Sequence, residues 1–332
     1  MKLLVTGGMG FIGSNFIRRT LADHADFNVV NVDKLTYGSN PENLRDLENT
    51  ENYRFVKGDI CDEALVKSIM KDIDAVINFA AESHVDRSIA NPQAFVESNT
   101  RGVLTLLEAC RQRDLKFLQV STDEVYGSTP EGRAFLETDR LDPSSPYSAS
   151  KASADMLVNA YHRTYGLWAV VTRSTNNYGR YQFPEKFIPK TIIRAFQGLQ
   201  VPVYGSGKQI RDWVHVQDHC AALDLVTRKG RSGKIYNIAG GNQLENLEVV
   251  KRILNIMGKG GSLISHGEDR PGHDLRYRLD ASKIEHELGW KPRHSFEDGL
   301  TDTVKWYLEN ESWWRPLIDD KILSPTPWKE TW

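Results

Sequence analysis

The chain has little cysteine. Cys61, Cys110 and Cys220 are its only three among 332 residues, and they stand far apart. That excludes a disulfide framework and a clustered thiolate metal site, and it suits a reducing, cytoplasmic compartment. No apolar run reaches the length of a transmembrane helix, so no membrane role is expected. Met1-Lys2 leads straight into a strand-like segment without a signal-peptide pattern. Neither sign of charge is in excess: 42 Lys and Arg stand against 44 Asp and Glu, a formal net charge of −2. A nucleic-acid partner is therefore not expected. Repeats and low-complexity tracts are missing as well. The composition, 40% hydrophobic and 26% charged, is that of a soluble globular protein. The length allows two domains, or one α/β domain with an added lobe.

What is present begins at the first residues. Lys2-Leu-Leu-Val-Thr6 predicts a short strand. It runs into Gly7-Gly8-Met9-Gly10-Phe11-Ile12-Gly13 and then a helix-like pattern through Leu21. Strand, Gly-rich turn and helix is the context a dinucleotide site requires. Gly7 permits the tight turn, Gly10 lets backbone approach a pyrophosphate, and Gly13 lets the helix pack closely on the strand. The helix N-terminus then offers free N–H groups to the phosphates. A second strand, Asn28 to Asp33, ends on a carboxylate twenty residues after Gly13. A carboxylate there can accept both ribose hydroxyls and repels a 2′-phosphate, so NAD is favoured over NADP, with Lys34 as a mild counter-signal.

Two more strands follow, Tyr53 to Ile60 and Asp74 to Ala81, with a helical stretch between them. This alternation predicts a parallel, doubly wound sheet of the NAD-binding Rossmann type. Asp59-Ile60 falls near the adenine, and Ala80-Ala81 are small enough for close approach to a cofactor. Glu82 to Ser88 reads as a polar, substrate-facing loop, and Pro92 to Gln112 as one helix. The apolar run Phe117 to Val120 then ends on Thr122 and two adjacent acids, Asp123 and Glu124. Open α/β sheets place their chemistry at such strand ends. Tyr147 and Lys151 follow, four residues apart, so a helix puts them on one face. A nearby ammonium favours the phenolate, which would lower the Tyr147 pKa and make it a base near neutral pH. Thr122 is positioned to hold the same substrate hydroxyl. Two extra acids exceed what an oxidation alone needs.

The helical pattern continues to Tyr165. Leu167 to Arg173 predicts a strand with a polar end, Ser174 to Gly179. From Arg180 the rhythm changes, with Pro184, Pro189 and Pro202, and a substrate lobe begins. Val214 to His219 reads as the start of a helix. His215 and His219 have a zinc spacing on it, but the general base of a zinc protease is missing, so no metal is assigned. Arg211, Arg270 and Arg276 are candidate guanidinium forks for a diphosphate. The Trp-rich tail, Trp306 to Trp332, is expected to pack the lobe.

These residues carry a family resemblance. GGMGFIG with Asp33, Tyr147-x3-Lys151 and Thr122 are similar to the extended short-chain dehydrogenase/reductases that act on nucleotide sugars. AAESHVDRS, STDEVYG, YSASK, NNYG, FPEK and RPGHD together resemble the dTDP-glucose 4,6-dehydratases, over essentially the full length. Asp123-Glu124 is the most specific mark. Met9 for a usual alanine, Thr175 before Asn176-Asn177, and Arg180 for a usual proline depart from the pattern at no acid, base or nucleotide anchor. The resemblance implies a Rossmann domain, 1–178 with 212–241 returning to it. A smaller mixed α/β lobe, 179–211 and 242–332, would hold the nucleotide sugar.

The resemblance also implies a reaction: oxidation at carbon 4 of dTDP-glucose, water elimination across carbons 5 and 6, and hydride return to carbon 6. In it Thr122, Asp123, Glu124, Tyr147 and Lys151 form the catalytic set. NAD would lie on Gly7, Gly10, Phe11, Ile12, Gly13, Asp33, Lys34, Leu35, Thr36, Asp59, Ile60, Phe79, Ala80, Ala81, Ser83, Ser98, Tyr147, Lys151 and Asn177. The nucleotide sugar would lie on Ser83, Thr122, Asp123, Glu124, Asn176, Lys186, Phe187, Pro202, Val203, Tyr204, Arg211, Asn242, Asp269, Arg270, Pro271, Gly272 and His273. A homodimer is expected, formed by paired amphipathic helices. Two other readings compete: an epimerase or decarboxylase of UDP- or GDP-sugars on the same scaffold, and a non-catalytic NAD sensor. The choice of thymine or uracil, the downstream pathway, and dimer against tetramer stay open.

Overall fold

The chain is described here from a computed structural model of residues 1–332. Lys2–Thr6 forms β1, and Leu3, Leu4 and Val5 are all completely buried. A strand covered on both faces reads as such an apolar run rather than an alternating one. Its side chains still alternate: Leu3 and Val5 join one hydrophobic cluster and Leu4 the other, on opposite faces. Parallel to it lie β2 (Asn28–Asp33), β3 (Tyr53–Lys57), β4 (Ala75–Asn78), β5 (Lys116–Thr122) and β6 (Ala169–Ser174). Three strands sit elsewhere, β7 (Asn176–Tyr178), β8 (Val201–Tyr204) and β9 (Ile210–His215), before β10 (Ile235–Ile238) completes the main sheet. Its order is β10-β6-β5-β4-β1-β2-β3. The order reverses between β1 and β4, so the crevice for a ligand opens at their carboxyl ends. This is a Rossmann-type NAD-binding fold.

The helices follow in order: α1 (Phe11–Asp23), α2 (Glu63–Ile69), α3 (Val85–Ala90), α4 (Pro92–Val96), α5 (Gly102–Arg113), α6 (Pro146–Tyr165), α7 (Phe187–Phe196), α8 (Val216–Lys229), α9 (Asn246–Ile256), α10 (Ser282–Leu288) and α11 (Phe296–Glu309). α6 starts with a capping box, Ser145 against Ser148, with Pro146 in the first turn, and ends on Gly166 at φ 70°. Those signals fix both ends of the helix that carries Tyr147 and Lys151. A smaller mixed region completes the molecule. β11 (Gln243–Glu245) runs antiparallel to β9, which pairs in parallel with β7, and β12 (Ile264–Gly267) runs parallel to β8. Its core holds Tyr178, Ile192, Trp213, Phe296, Trp306 and Trp314.

Three local expectations need correction. Pro92 to Gln112 is not one regular helix: a π-helical turn, Glu97–Arg101, separates α4 from α5. Asn99 in that turn grips the backbone of Glu82 at both its N–H and its carbonyl, at 2.8 and 2.9 Å. Glu82 to Ser88 is not wholly loop, because α3 begins at Val85. Val214-His215 ends strand β9, and the helix starts only at Val216. The two regions also share packing. Trp213 enters the lobe core, whereas Ile284 and Trp290 pack against the main sheet's core.

Candidate active site

The Gly-rich turn joins β1 to α1. Gly7 has φ +69° and its missing Cβ would lie 2.6 Å from the Ala80 nitrogen. A Cβ on Gly13 would lie 2.5 Å from the Gly7 carbonyl oxygen, so the helix can sit there only without a side chain. At Gly10 the nearest atom to a Cβ is 3.3 Å away, and the residue borders the cavity. Gly8 is equally constrained, by the Asn31 amide at 2.2 Å, and was not singled out from sequence. α1 has no side-chain cap, so its first N–H groups remain for a ligand.

A cavity of about 310 Å³ opens over this turn. Gly7, Gly10, Phe11, Ile12, Gly13, Asp33, Lys34, Thr36, Asp59, Ile60, Phe79, Ala80, Ala81, Ser83, Ser98, Tyr147, Lys151 and Asn177 all line it. Leu35 does not: its backbone is left-handed (φ 58°), and its N–H turns back onto Asp33 Oδ1 at 2.8 Å. Asp33 also accepts from the Met9 N–H at 2.9 Å and the Ser39 hydroxyl at 2.7 Å. The carboxylate is thus held rigidly by the protein and keeps one lone pair, on Oδ2, for a ribose hydroxyl. Lys34 is tied to Asp59 Oδ2 at 2.7 Å, which neutralises the cation that would otherwise welcome a 2′-phosphate. The Gly cradle, the uncapped helix and the two carboxylates fit NAD.

The same cavity reaches Thr122, Asp123 and Glu124 at the end of β5. Asp123 Oδ1 accepts from the Thr122 hydroxyl at 3.1 Å, and Oδ2 is buried without a partner. Burial, then the charge of Glu124, pushes the Asp123 carboxyl well above its usual range. Burial also raises Glu124, but Arg270, Arg211 and Lys186 pull it back. Two neighbouring carboxyls therefore stand in different environments, one favouring the neutral acid and the other partly favouring the anion.

Tyr147 departs from expectation. Its phenol is pushed up, first by burial and then by the Glu124 charge, rather than lowered by Lys151. The Lys151 ammonium instead donates to the Val120 carbonyl at 2.7 Å, and burial depresses its pKa to about 8. Desolvation leads because the phenol is buried, and the hydrogen bond from Thr122 only partly offsets it.

A second space of about 170 Å³ continues from the first past Ser83, Glu124, Asn176, Lys186 and Glu185, which border both. Phe187, Pro202, Tyr204, Arg211, Arg270 and His273 line it. Val203, Asn242, Asp269, Pro271 and Gly272 do not. Val203 points into a small apolar core, and the Asn242 amide is spent on the Trp213 and Gly240 carbonyls. Asp269 accepts from Gln209 at 2.8 Å and pairs with His273 at 2.6 Å, so it shapes the wall from behind. Of the three arginines, Arg276 faces away and donates to Gln243. Arg270 is held by Asp86 at 3.0 Å, and Arg211 by the Asp274 carbonyl at 2.9 Å.

His215 and His219 share no metal geometry. His215 accepts from the Gln217 N–H and stacks on His294, while His219 meets Asn177 Oδ1 at 2.8 Å. Several lining residues had no individual sequence signal: Tyr37, Asp86, Gln182, Glu185, Lys190 and Tyr277. Glu185 is 4% exposed and pairs with Arg87 at 2.9 Å. Arg87 in turn lies between the rings of Tyr37 and Trp332, 3.6 Å from each. Glu185 and Arg87 lie inside the FPEK and AAESHVDRS motifs. Trp332 belongs to the tail expected to pack the lobe; it does pack against the lobe core, and its ring also covers Arg87.

The family model described as GDP-mannose 4,6 dehydratase matches residues 4–303. A dTDP-glucose 4,6-dehydratase from Streptomyces niveus is 51% identical, covering 96% of each chain. A crystal structure of the dTDP-glucose 4,6-dehydratase DesIV from Streptomyces venezuelae, with NAD bound, superposes with a TM-score of 0.94 at 48% identity, over 96% of this chain and 100% of that one. A UDP-glucose 4-epimerase from Thermotoga maritima shares the fold (TM-score 0.87; 94% and 100% of the two chains) at only 30% identity. The chain belongs to the dTDP-glucose 4,6-dehydratase family.

Proposed function

We propose that this chain converts dTDP-glucose to dTDP-4-keto-6-deoxyglucose, with NAD as a retained cofactor. The observation that carries this reading is the adjacent pair of a buried Asp123 and a half-buried Glu124 in one wall with Thr122 and Tyr147. An epimerase needs no acid to expel a 6-hydroxyl, and a sensor needs none of these groups.

NAD, when bound, would take the hydride from carbon 4 and return it to carbon 6. Tyr147 removes the proton of the 4-hydroxyl, which Thr122 orients. The new ketone acidifies the proton on carbon 5. Glu124, raised by burial but drawn back by Arg270, Arg211 and Lys186, takes that proton. Asp123, kept neutral by burial, protonates the departing 6-hydroxyl, so water leaves. Glu124 then returns a proton to carbon 5. Arg211 and Arg270 supply the guanidinium donors for the diphosphate.

The substrate lobe, residues 179–211 and 242–332, would hold the nucleotide. We place the protein in the cytoplasm as a homodimer; no helix is long and apolar enough to cross a membrane. Leu104 on α5 and Met156 on α6 are large exposed apolar side chains suited to such a helix pair. Mass spectrometry of dTDP-glucose incubated with purified protein in heavy water, without added NAD, tests the reaction. A product lighter by one water with deuterium at carbon 5 is expected. An unchanged sugar with NAD restored, and with UDP- and GDP-sugars equally inert, would overturn the reading in favour of a sensor.

A further inference from the structure

Behind the Tyr147–Lys151 pair lies a buried charge cluster that the reaction above leaves unused. Asp155 is one turn beyond Lys151 on α6, and it is completely buried. Its Oδ2 accepts from Arg173 Nε at 2.8 Å, and that arginine on β6 is 2% exposed. Arg173 Nη1 donates to the Tyr126 hydroxyl at 2.7 Å, which donates onward to Asn237 Oδ1 at 3.0 Å. Asp155 Oδ1 is buried and has no hydrogen-bond partner. A pair whose only role was to hold β6 against α6 would be replaceable by packed apolar groups. This one aligns Tyr147, Lys151 and Asp155 along one face of a helix at four-residue intervals.

Resting on the reaction read above, we propose that Asp155 is a positioning residue for the oxidation at carbon 4. Its carboxylate, fixed by Arg173 and Tyr126, keeps the Lys151 ammonium charged beneath the base. The titratable and charged groups around Lys151 are Tyr147 and Asp155 on its own helix, Asp123, Glu124 and Tyr126 beyond β5, and Arg173 on β6. Burial acts against the ammonium, and Asp155 is the one group that opposes it. The ammonium itself has a single neutral acceptor, the Val120 carbonyl. The same carboxylate also disfavours the Tyr147 phenolate, after burial, Glu124 and Asp123.

The test uses Asp155→Asn and the double variant Asp155→Asn/Arg173→Gln, which leaves no unpaired buried charge if the single variant folds poorly. Two readouts are taken: the pH profile of nicotinamide reduction with dTDP-glucose, and the titration of the Lys151 13Cε resonance in lysine-labelled protein, assigned with Lys151→Met. In both variants the alkaline limb and the resonance should move acidward by about one pH unit or more, a tenfold loss of rate on that limb. A double variant whose limb and resonance both stand at the wild-type pH would make the pair a scaffold only and overturn the proposal. Wild-type protein inert toward dTDP-glucose would instead sink the reaction reading, and the Lys151 resonance would still decide the role of Asp155.

Discussion

Replacing Glu124 by Gln keeps the shape of the side chain and removes the base assigned to carbon 5. Glu124 is half-buried, and Arg270, Arg211 and Lys186 act on its charge. The adjacent Asp123 does not substitute, because burial and its neighbour's charge hold it neutral. A single general base contributes roughly 10²–10⁴-fold, or about 2.7–5.5 kcal/mol of barrier. Turnover of Glu124→Gln should therefore fall by that factor. Oxidation at carbon 4 depends on Tyr147 and Thr122 and should suffer much less. The two steps separate in a stopped-flow single turnover: the near-ultraviolet absorbance of reduced nicotinamide should rise and persist. Deuterium should fail to enter carbon 5 on the same timescale. Wild-type turnover in Glu124→Gln, or equal loss of both steps, would refute the division of labour along this wall.

Arg211→Ala should raise the Michaelis constant for the nucleotide sugar at least tenfold while bound NAD, measured after denaturation, stays at the wild-type level; the reverse pattern would remove Arg211 from the substrate side. Gly7→Ala puts a Cβ 2.6 Å from the Ala80 nitrogen at φ +69°, so left-handed strain of roughly 1–2 kcal/mol adds to a backbone clash. Purified Gly7→Ala should carry little NAD and melt several degrees lower; full NAD content would contradict the close-approach role. Asp123 has a folded pKa above its unfolded value of about 3.9, so its contribution to stability is full below that value and lost as pH rises through the folded one. Asp123→Asn should therefore melt at or above wild type at pH 7 and lose that advantage at pH 4, even as turnover falls. A lower melting temperature at pH 7 would mean that the carboxyl is ionised and paired.

The Gly turn, Asp33, the strand-end acids and the Tyr147–Lys151 spacing were legible because each depends on local geometry. A turn, a strand end or one helical turn brings such residues together within a few positions. The bounds of β2 could be read for the same reason, as a short Val-rich run that stops on Asp33. Helix continuity across Glu97–Arg101 was misread because a π turn has no strong sequence signal. Its cause is tertiary, the grip of Asn99 on Glu82 and on the Ser150 hydroxyl at 2.9 Å.

The sequence by itself determined the order of strands and helices, the dinucleotide turn and the identity of the acids and bases, since these follow from periodicity and residue chemistry. Tertiary structure alone decided which groups share a cavity and what charge each can carry. Arg276 and Arg211 look alike in sequence, yet one turns to Gln243 and the other lines the site. Tyr147 beside Lys151 promises a low pKa, yet burial reverses the sign. Desolvation depends on everything packed around a group, and those neighbours come from distant parts of the chain.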